Sequence, residues 1–182
     1  GLTIRDVQFT PFVGGIPGMI NDTVTVSGVI VADTTDIKQN LGGRPTLWMA
    51  SAAGAWNGIA IYSALSGIVP DTLVRGDSVQ VTGVVTERGV SSNDSRTSLL
   101  VQSFTLVKRG LPIPAATSIG ISGSGSVSYQ DANRPVKGAS PFEQWESVLV
   151  KLPAANVNML NADNAATTGT SNFGEFFIST TK

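Results

Sequence analysis

Apolar and polar residues alternate most regularly in two stretches of this chain. Over Asp22–Val31 and again over Asp77–Thr86, an aspartate leads valines at every second position: Val24 and Val26 in the first, Val79 and Val81 in the second. Gly28 and Gly83 then interrupt the two patterns at the same point, before further β-branched residues. A period of two with β-branched enrichment predicts a strand with one face in a core, and the repetition predicts the same structural role twice. A glycine inside each pattern permits a bulge or tight coiling, which a small barrel needs at its corners.

Between the two copies lie two shorter apolar runs, Thr46–Ser51 and Gly58–Tyr62, joined through Ala53-Gly-Ala-Trp-Asn-Gly58. A last long run, Thr97–Lys108, follows the polar hairpin loop Gly89–Arg96. Strands are thus expected at 23–32, 46–51, 58–62, 78–88 and 97–108. A long first strand, a short hairpin, a connection and a long final hairpin is the order of a five-stranded OB-like Greek-key barrel, and the fold class is all-β. The helix that usually joins the third and fourth strands is not expected, because Ser63–Arg75 holds Gly67, Pro70 and no helical period.

Leu2 and Ile4 alternate with Thr3 and Arg5, so residues 2–9 read as an additional N-terminal strand, followed by an irregular Gly- and Pro-rich connection up to Met19. Past the barrel, Gly110-Leu-Pro-Ile-Pro114 and the Gly-Ser alternation of 119–128 break any regular element. Trp145-Glu-Ser-Val-Leu-Val-Lys-Leu152 then echoes the start of a first barrel strand, residues 156–160 extend it, and Gly174-Glu-Phe-Phe-Ile-Ser-Thr180 echoes Thr46–Ser51. No counterpart of the second valine strand follows. The expected organisation is therefore a barrel with its N-terminal strand at 1–110, a linker or crossing segment at 111–141, and an incomplete second β unit at 142–182, with strand edges that must be paired or covered.

Composition narrows the chemistry. Of the 182 residues only 14% are charged, below the roughly one quarter usual in soluble proteins, so Ser, Thr, Asn and Gly must dress the surface. Twelve basic residues against 13 acidic ones leave a net charge of −1, and any polyanion site must be a local patch. Cysteine and histidine are both absent, which removes disulfides, thiolate chemistry, the Ser-His pairing and the commonest transition-metal ligand. The reading is non-catalytic. The nearest glutamate pair, Glu143 and Glu146, reads as surface charge. No apolar run approaches the roughly 20 residues that span a bilayer. A start at Gly1 without Met reads as a trimmed, exported product.

The two Asp-led valine strands, Thr46-Leu-Trp-Met-Ala-Ser51, Gly54-Ala-Trp-Asn-Gly-Ile-Ala-Ile-Tyr62 and Gly76-Asp77 together resemble the OB-like accessory domains of secreted bacterial proteins, including extracellular nuclease and lamin-tail-containing proteins of the Bacteroidetes type. The resemblance covers residues 2–110, with a truncated echo at 142–182. It implies export, an extracellular or cell-surface location and an accessory role beside a catalytic or anchoring domain, without implying chemistry of its own.

Two functions are compatible with this chain. As an extracellular structural module it would self-associate into oligomers or filaments by strand addition, through Leu2, Ile4 and Val7 at one end and Trp145, Val148, Val150, Phe176 and Ile178 at the other. As an accessory binding domain it would take single-stranded nucleic acid or polysaccharide on the barrel face, with Trp48, Trp56 and Tyr62 as stacking platforms and Lys38, Arg44, Arg88 and Arg96 as cations. Asp33, Asp36, Glu87 and Asp94 share those loops and offset the charge. No cofactor is expected. Calcium is the one metal with candidate oxygen-rich turns, at Asp33–Asp36, Asn93-Asp94 and Asp163-Asn164, and none completes a calcium-loop pattern.

Overall fold

A computed structural model describes residues 1–10, 16–33, 46–63, 72–89, 95–118, 143–151, 156–158 and 177–179. The alternating segments form β1 (Thr23–Ala32), β2 (Thr46–Ala50), β3 (Gly58–Tyr62), β4 (Ser78–Gly89) and β5 (Ser95–Lys108). They close into a barrel in the order β1-β2-β3-β5-β4, with β4 returning to β1. All neighbours are antiparallel except β3 and β5, which run parallel with Ala60 opposite Ser98. The protein is an OB-like all-β fold, and each strand begins and ends within two residues of its expected bounds.

The period of two does what it implies. Val24, Val26 and Ile30 of β1, Leu47 and Met49 of β2, Ile59 and Ile61 of β3, Val79, Val81 and Val85 of β4, and Leu99 and Val101 of β5 share one buried core. Full burial of each such side chain contributes about 1.5–3 kcal/mol. The alternate residues face outward and are polar where β1 meets β4, and the Thr25 and Thr82 hydroxyls pair across the two strands at 2.8 Å.

The bulge expected at Gly83 is present: the β4–β5 register shifts between Thr82 and Gly83, and a Cβ there would lie 2.6 Å from the Leu100 carbonyl oxygen. At Gly28 the strand instead makes a close approach, with a Cβ position 3.0 Å from the Ala50 carbonyl oxygen and 3.1 Å from Ile4 Cδ1. The irregularity of β1 falls slightly later, between Ile30 and Ala32.

Residues 4–8 differ from the expected N-terminal strand, forming helix α1 (Ile4–Gln8). Thr3 and Asp6 make a capping box, in which the Asp6 amide donates to Thr3 Oγ1 and the Thr3 amide donates to the Asp6 carboxylate at 2.8 Å. Ile4 and Val7, one turn apart, are fully buried within the barrel core, and Gln8 Nε2 donates to the Gly58 carbonyl oxygen at 2.6 Å. The helix therefore stoppers one end of the barrel. Ile4 and Val7 serve that core rather than an exposed surface, whereas Leu2 stays exposed.

After the barrel, β6 (Thr117–Ser118) pairs with β7 (Val150–Lys151), and β8 (Asn156–Asn158) runs antiparallel to β9 (Phe177–Ser179). Trp145 departs from expectation: it ends a 3-10 turn, Glu143–Trp145, and does not open a strand. Val148 is half-buried, and Val150 lies in β7. Two compact units result, Gly1–Thr117 with Pro135–Leu149, and Ser118–Arg134 with Val150–Lys182. The turn at 143–149 thus belongs with the barrel. Residues 64–71, 119–142 and Phe176, on which further expectations fell, lie outside the described residues.

Candidate functional site

Alternation along β2 and β3 turns Trp48 and Tyr62 away from the core that Leu47, Met49, Ile59 and Ile61 fill. On the neighbouring β4–β5 hairpin, Arg88 stands opposite Arg96 and Thr86 opposite Ser98. Because Ser98 is in turn opposite Ala60 of β3, and Ala60 is opposite Trp48, one lateral row crosses four strands: Trp48, Ala60, Ser98, Thr86. The two central members are small and fully buried. Larger side chains close over them.

Those larger side chains pair across the face. The Arg96 guanidinium lies over the Trp48 ring, 5.4 Å from its centroid, and the Arg88 guanidinium lies over the Tyr62 ring at 4.2 Å. Tyr62 is fixed further by a 3.1 Å hydrogen bond between its hydroxyl and Thr86 Oγ1. Each cation–π contact is worth about 0.5–2 kcal/mol and orients a flexible arginine. The outcome is a face carrying two held guanidinium groups and two aromatic rings.

Two of the acidic residues expected to offset this charge are described. Asp33 is buried and accepts the Arg75 amide at 3.0 Å, and the Glu87 carboxylate accepts the Thr97 hydroxyl. Lys38, Arg44, Asp36 and Asp94 lie outside the described residues. So do Asn93, Asp163 and Asn164 of the calcium candidates, and among the described residues no cluster of three metal-ligating side chains is formed. No helix among the described residues is long and apolar enough to cross a membrane.

Trp56 is not part of the face. It sits in the β2–β3 turn with φ at +68°, and its ring meets Phe9 edge-on at 5.5 Å. Asn57 organises that turn by donating from Nδ2 to the carbonyl oxygens of Ala53 and Ala55, each at 3.1 Å. Leu2, Arg5, Asp6, Phe9 and Met19 line an open depression beside this end of the barrel.

One contributor carries no motif of its own. Glu146 reaches back to β5, where its Oε2 accepts the Thr97 amide at 2.8 Å, while the Gln144 carbonyl oxygen accepts the Trp56 amide at 2.8 Å. The residue next to Thr97 is Arg96, so the carboxylate reaches the border of the aromatic face. The isolated glycine that opens β3 was the available signal, since a glycine within a strand pattern marks a close backbone approach. At Gly58 that approach is by the main chain of Ser147 and Val148.

No protein-family profile matches the chain, and no curated protein matches it in sequence. Among solved structures it is similar to an OBody bound to hen egg-white lysozyme, with 16% identity and a TM-score of 0.41 over 60% of this chain and 94% of the other. It is also similar to a putative aspartyl-tRNA synthetase from Leishmania major Friedlin, with 16% identity and a TM-score of 0.37 over 51% of this chain. Asparaginyl-tRNA synthetase from Pyrococcus horikoshii gives 14% identity and a TM-score of 0.37, also over 51% of this chain. The matched segments span only 19% and 21% of the two synthetases. At such scores the likeness adds nothing to the strand order, and the OB-like assignment stands on topology and register.

Proposed function

We propose that this protein is a non-catalytic binding module that takes single-stranded nucleic acid across the outer face of β2, β3 and the β4–β5 hairpin. The observation supporting this reading is the pair of guanidinium–aromatic stacks, Arg96 on Trp48 and Arg88 on Tyr62. A single strand presents alternating flat bases and anionic phosphates, and stacking on an aromatic ring contributes about 1–3 kcal/mol per base. Guanidinium planes held over the Trp48 and Tyr62 rings extend that stacking surface outward and offer N–H donors to the phosphates. Polysaccharide would use the rings and leave the charges idle.

Titration of the full chain with a labelled oligothymidylate, in parallel with a neutral glucan of similar length, tests the reading. Oligonucleotide binding that weakens with salt supports it. Absence of oligonucleotide binding below about 1 mM at low salt, a free energy weaker than about −4 kcal/mol, overturns it.

A second reading, self-association by strand addition in an extracellular setting, is favoured by one observation: the chain after the barrel pairs as β6–β7 and β8–β9, two short ladders of a kind marginal in isolation. Sedimentation over a concentration series tests it, and a monomer at every concentration overturns it. Export itself rests on the sparse charge of the surface and the secreted-protein resemblance, and is tested by locating the native protein in cell fractions.

A further inference from the structure

The segment from Gln144 to Leu149 begins within the 3-10 turn Glu143–Trp145 and lies along the barrel at the border of the proposed face. It is held by main-chain and carboxylate contacts. The Trp56 amide donates to the Gln144 carbonyl oxygen at 2.8 Å, the Thr97 amide donates to Glu146 Oε2 at 2.8 Å, and the Thr117 amide donates to the Leu149 carbonyl oxygen at 3.0 Å. Ser147 adopts φ of +59°, a left-handed conformation that side-chain-bearing residues rarely take. That turn brings the Ser147 carbonyl against the α-carbon of Gly58, where any Cβ would collide with it and would lie 2.8 Å from the Val148 nitrogen. β3 can carry this segment on its outer side only because residue 58 has no side chain.

The chemistry of the contact resembles that of a ligand. Glu146 places a carboxylate on the amide of Thr97, the residue that follows Arg96 in β5, so a negative charge already sits at the border of this face, where a phosphate group would carry the same charge. We infer that the 144–149 segment is a built-in competitor, a strap whose Glu146 carboxylate occupies an anion position at the edge of the binding face, so that single-stranded nucleic acid and the docked strap exclude one another there. This inference rests on the nucleic-acid reading above. It adds that the affinity of the intact chain is set by an internal equilibrium, since a binding-competent state populated to a fraction f weakens the apparent affinity by that fraction.

Two substitutions release the strap by unrelated means. Gly58→Ala adds a methyl group whose three nearest atoms all belong to the strap backbone, at a residue whose backbone is not left-handed. Glu146→Ala removes the acceptor of the Thr97 amide of β5 and adds no atom against the barrel. The full-length protein and both variants are titrated with labelled oligothymidylate at low salt, and amide hydrogen exchange is followed at Thr97 and Val148. Faster exchange at these amides in both variants, with oligonucleotide affinity raised about tenfold, the equivalent of one charge-assisted hydrogen bond of about 1.4 kcal/mol, is the expected result. Addition of oligonucleotide to the unaltered protein should likewise speed exchange at Val148.

Faster exchange with unchanged oligonucleotide affinity overturns the strap as competitor and leaves the binding face intact. Faster exchange with no oligonucleotide binding in any form overturns the binding reading, and the competitor with it. Unchanged exchange in both variants overturns the docked strap itself. Should Gly58→Ala fail to fold, Glu146→Ala alone carries the same three outcomes.

Discussion

The main-chain amide of Thr97 donates to the carboxylate of Glu146 at 2.8 Å across 49 residues of sequence. Thr97 is buried, so while the 144–149 segment stays docked its amide is shielded from water that could replace the acceptor. Glu146→Ala is therefore expected to lower stability by about 1–3 kcal/mol, the cost of leaving a buried donor unmet. A urea unfolding midpoint unchanged from the parent protein would contradict this.

Asp77 is buried at 1% side-chain exposure, and its Oδ2 accepts both Arg109 Nη1 at 3.0 Å and the Val74 amide at 3.1 Å. The asymmetry matters, because Arg109 is 55% exposed and is solvated with or without its partner. Arg109→Ala strands a buried carboxylate and should cost up to about 3 kcal/mol, with exposure of the arginine pulling the figure down. In the double variant with Asp77→Ala the loss should be well below the sum of the two single losses. Additivity in urea denaturation would show the pair to be uncoupled.

Gly83 and Gly28 occupy equivalent places in the repeated strands but meet different surroundings. An added methyl group at Gly83 faces the Leu100 carbonyl oxygen at 2.6 Å, whereas at Gly28 the nearest atoms are 3.0 Å or more away and include the flexible end of Ile4. Gly83→Ala should destabilise by about 1–3 kcal/mol and Gly28→Ala by distinctly less, in line with the usual cost of overpacking. Thermal unfolding of the two variants side by side decides the ranking.

The Asp6 carboxyl is held below its ordinary value of 3.8 by the hydrogen bonds it receives from the Thr3 backbone and side chain. A carboxylate depressed in the folded state stabilises α1 above the ordinary value and ceases to do so as pH falls through the lowered one. Thr3→Ala should move the Asp6 titration midpoint, followed by NMR, upward toward 3.8. Because the Thr3 backbone bond, the larger cause, survives the substitution, the rise is partial, and an unmoved midpoint would show the Thr3 hydroxyl to be irrelevant to it.

On the proposed face, Trp48→Ala and Arg96→Ala should each weaken oligothymidylate binding, but only Arg96→Ala should also flatten its salt dependence, by about 0.7 in the slope of log affinity against log salt for each phosphate that is no longer neutralised. An equal slope in both variants would show that Arg96 meets no phosphate.

How much of this could be read from residues alone depends on the range of the interactions involved. The five strands were legible because β-branched alternation is a local property, and Val24, Val26, Val79 and Val81 state it without ambiguity. Helix α1 reads as a strand because Leu2 and Ile4 also alternate. The Thr3–Asp6 capping box and the spacing of Ile4 and Val7 carried the better signal, in a helix of only five residues. The face was half legible. Trp48, Tyr62, Arg88 and Arg96 are candidates by residue type and strand position, yet Trp56 belongs to a turn, and only the register of β3 against β5 shows which arginine meets which ring. Glu146 was hidden because its partner amide is distant in sequence and amides carry no sequence signature.

The stopper formed by Ile4 and Val7 leaves this barrel solid. A molecule that recognises the protein must do so on the outside, and arrival or departure of that molecule does not require the valine core to breathe. Of the side chains on that outer surface, Trp48 and Arg96 are only half-buried, whereas Tyr62 is buried, so a change at position 62 costs the fold more than one at position 48.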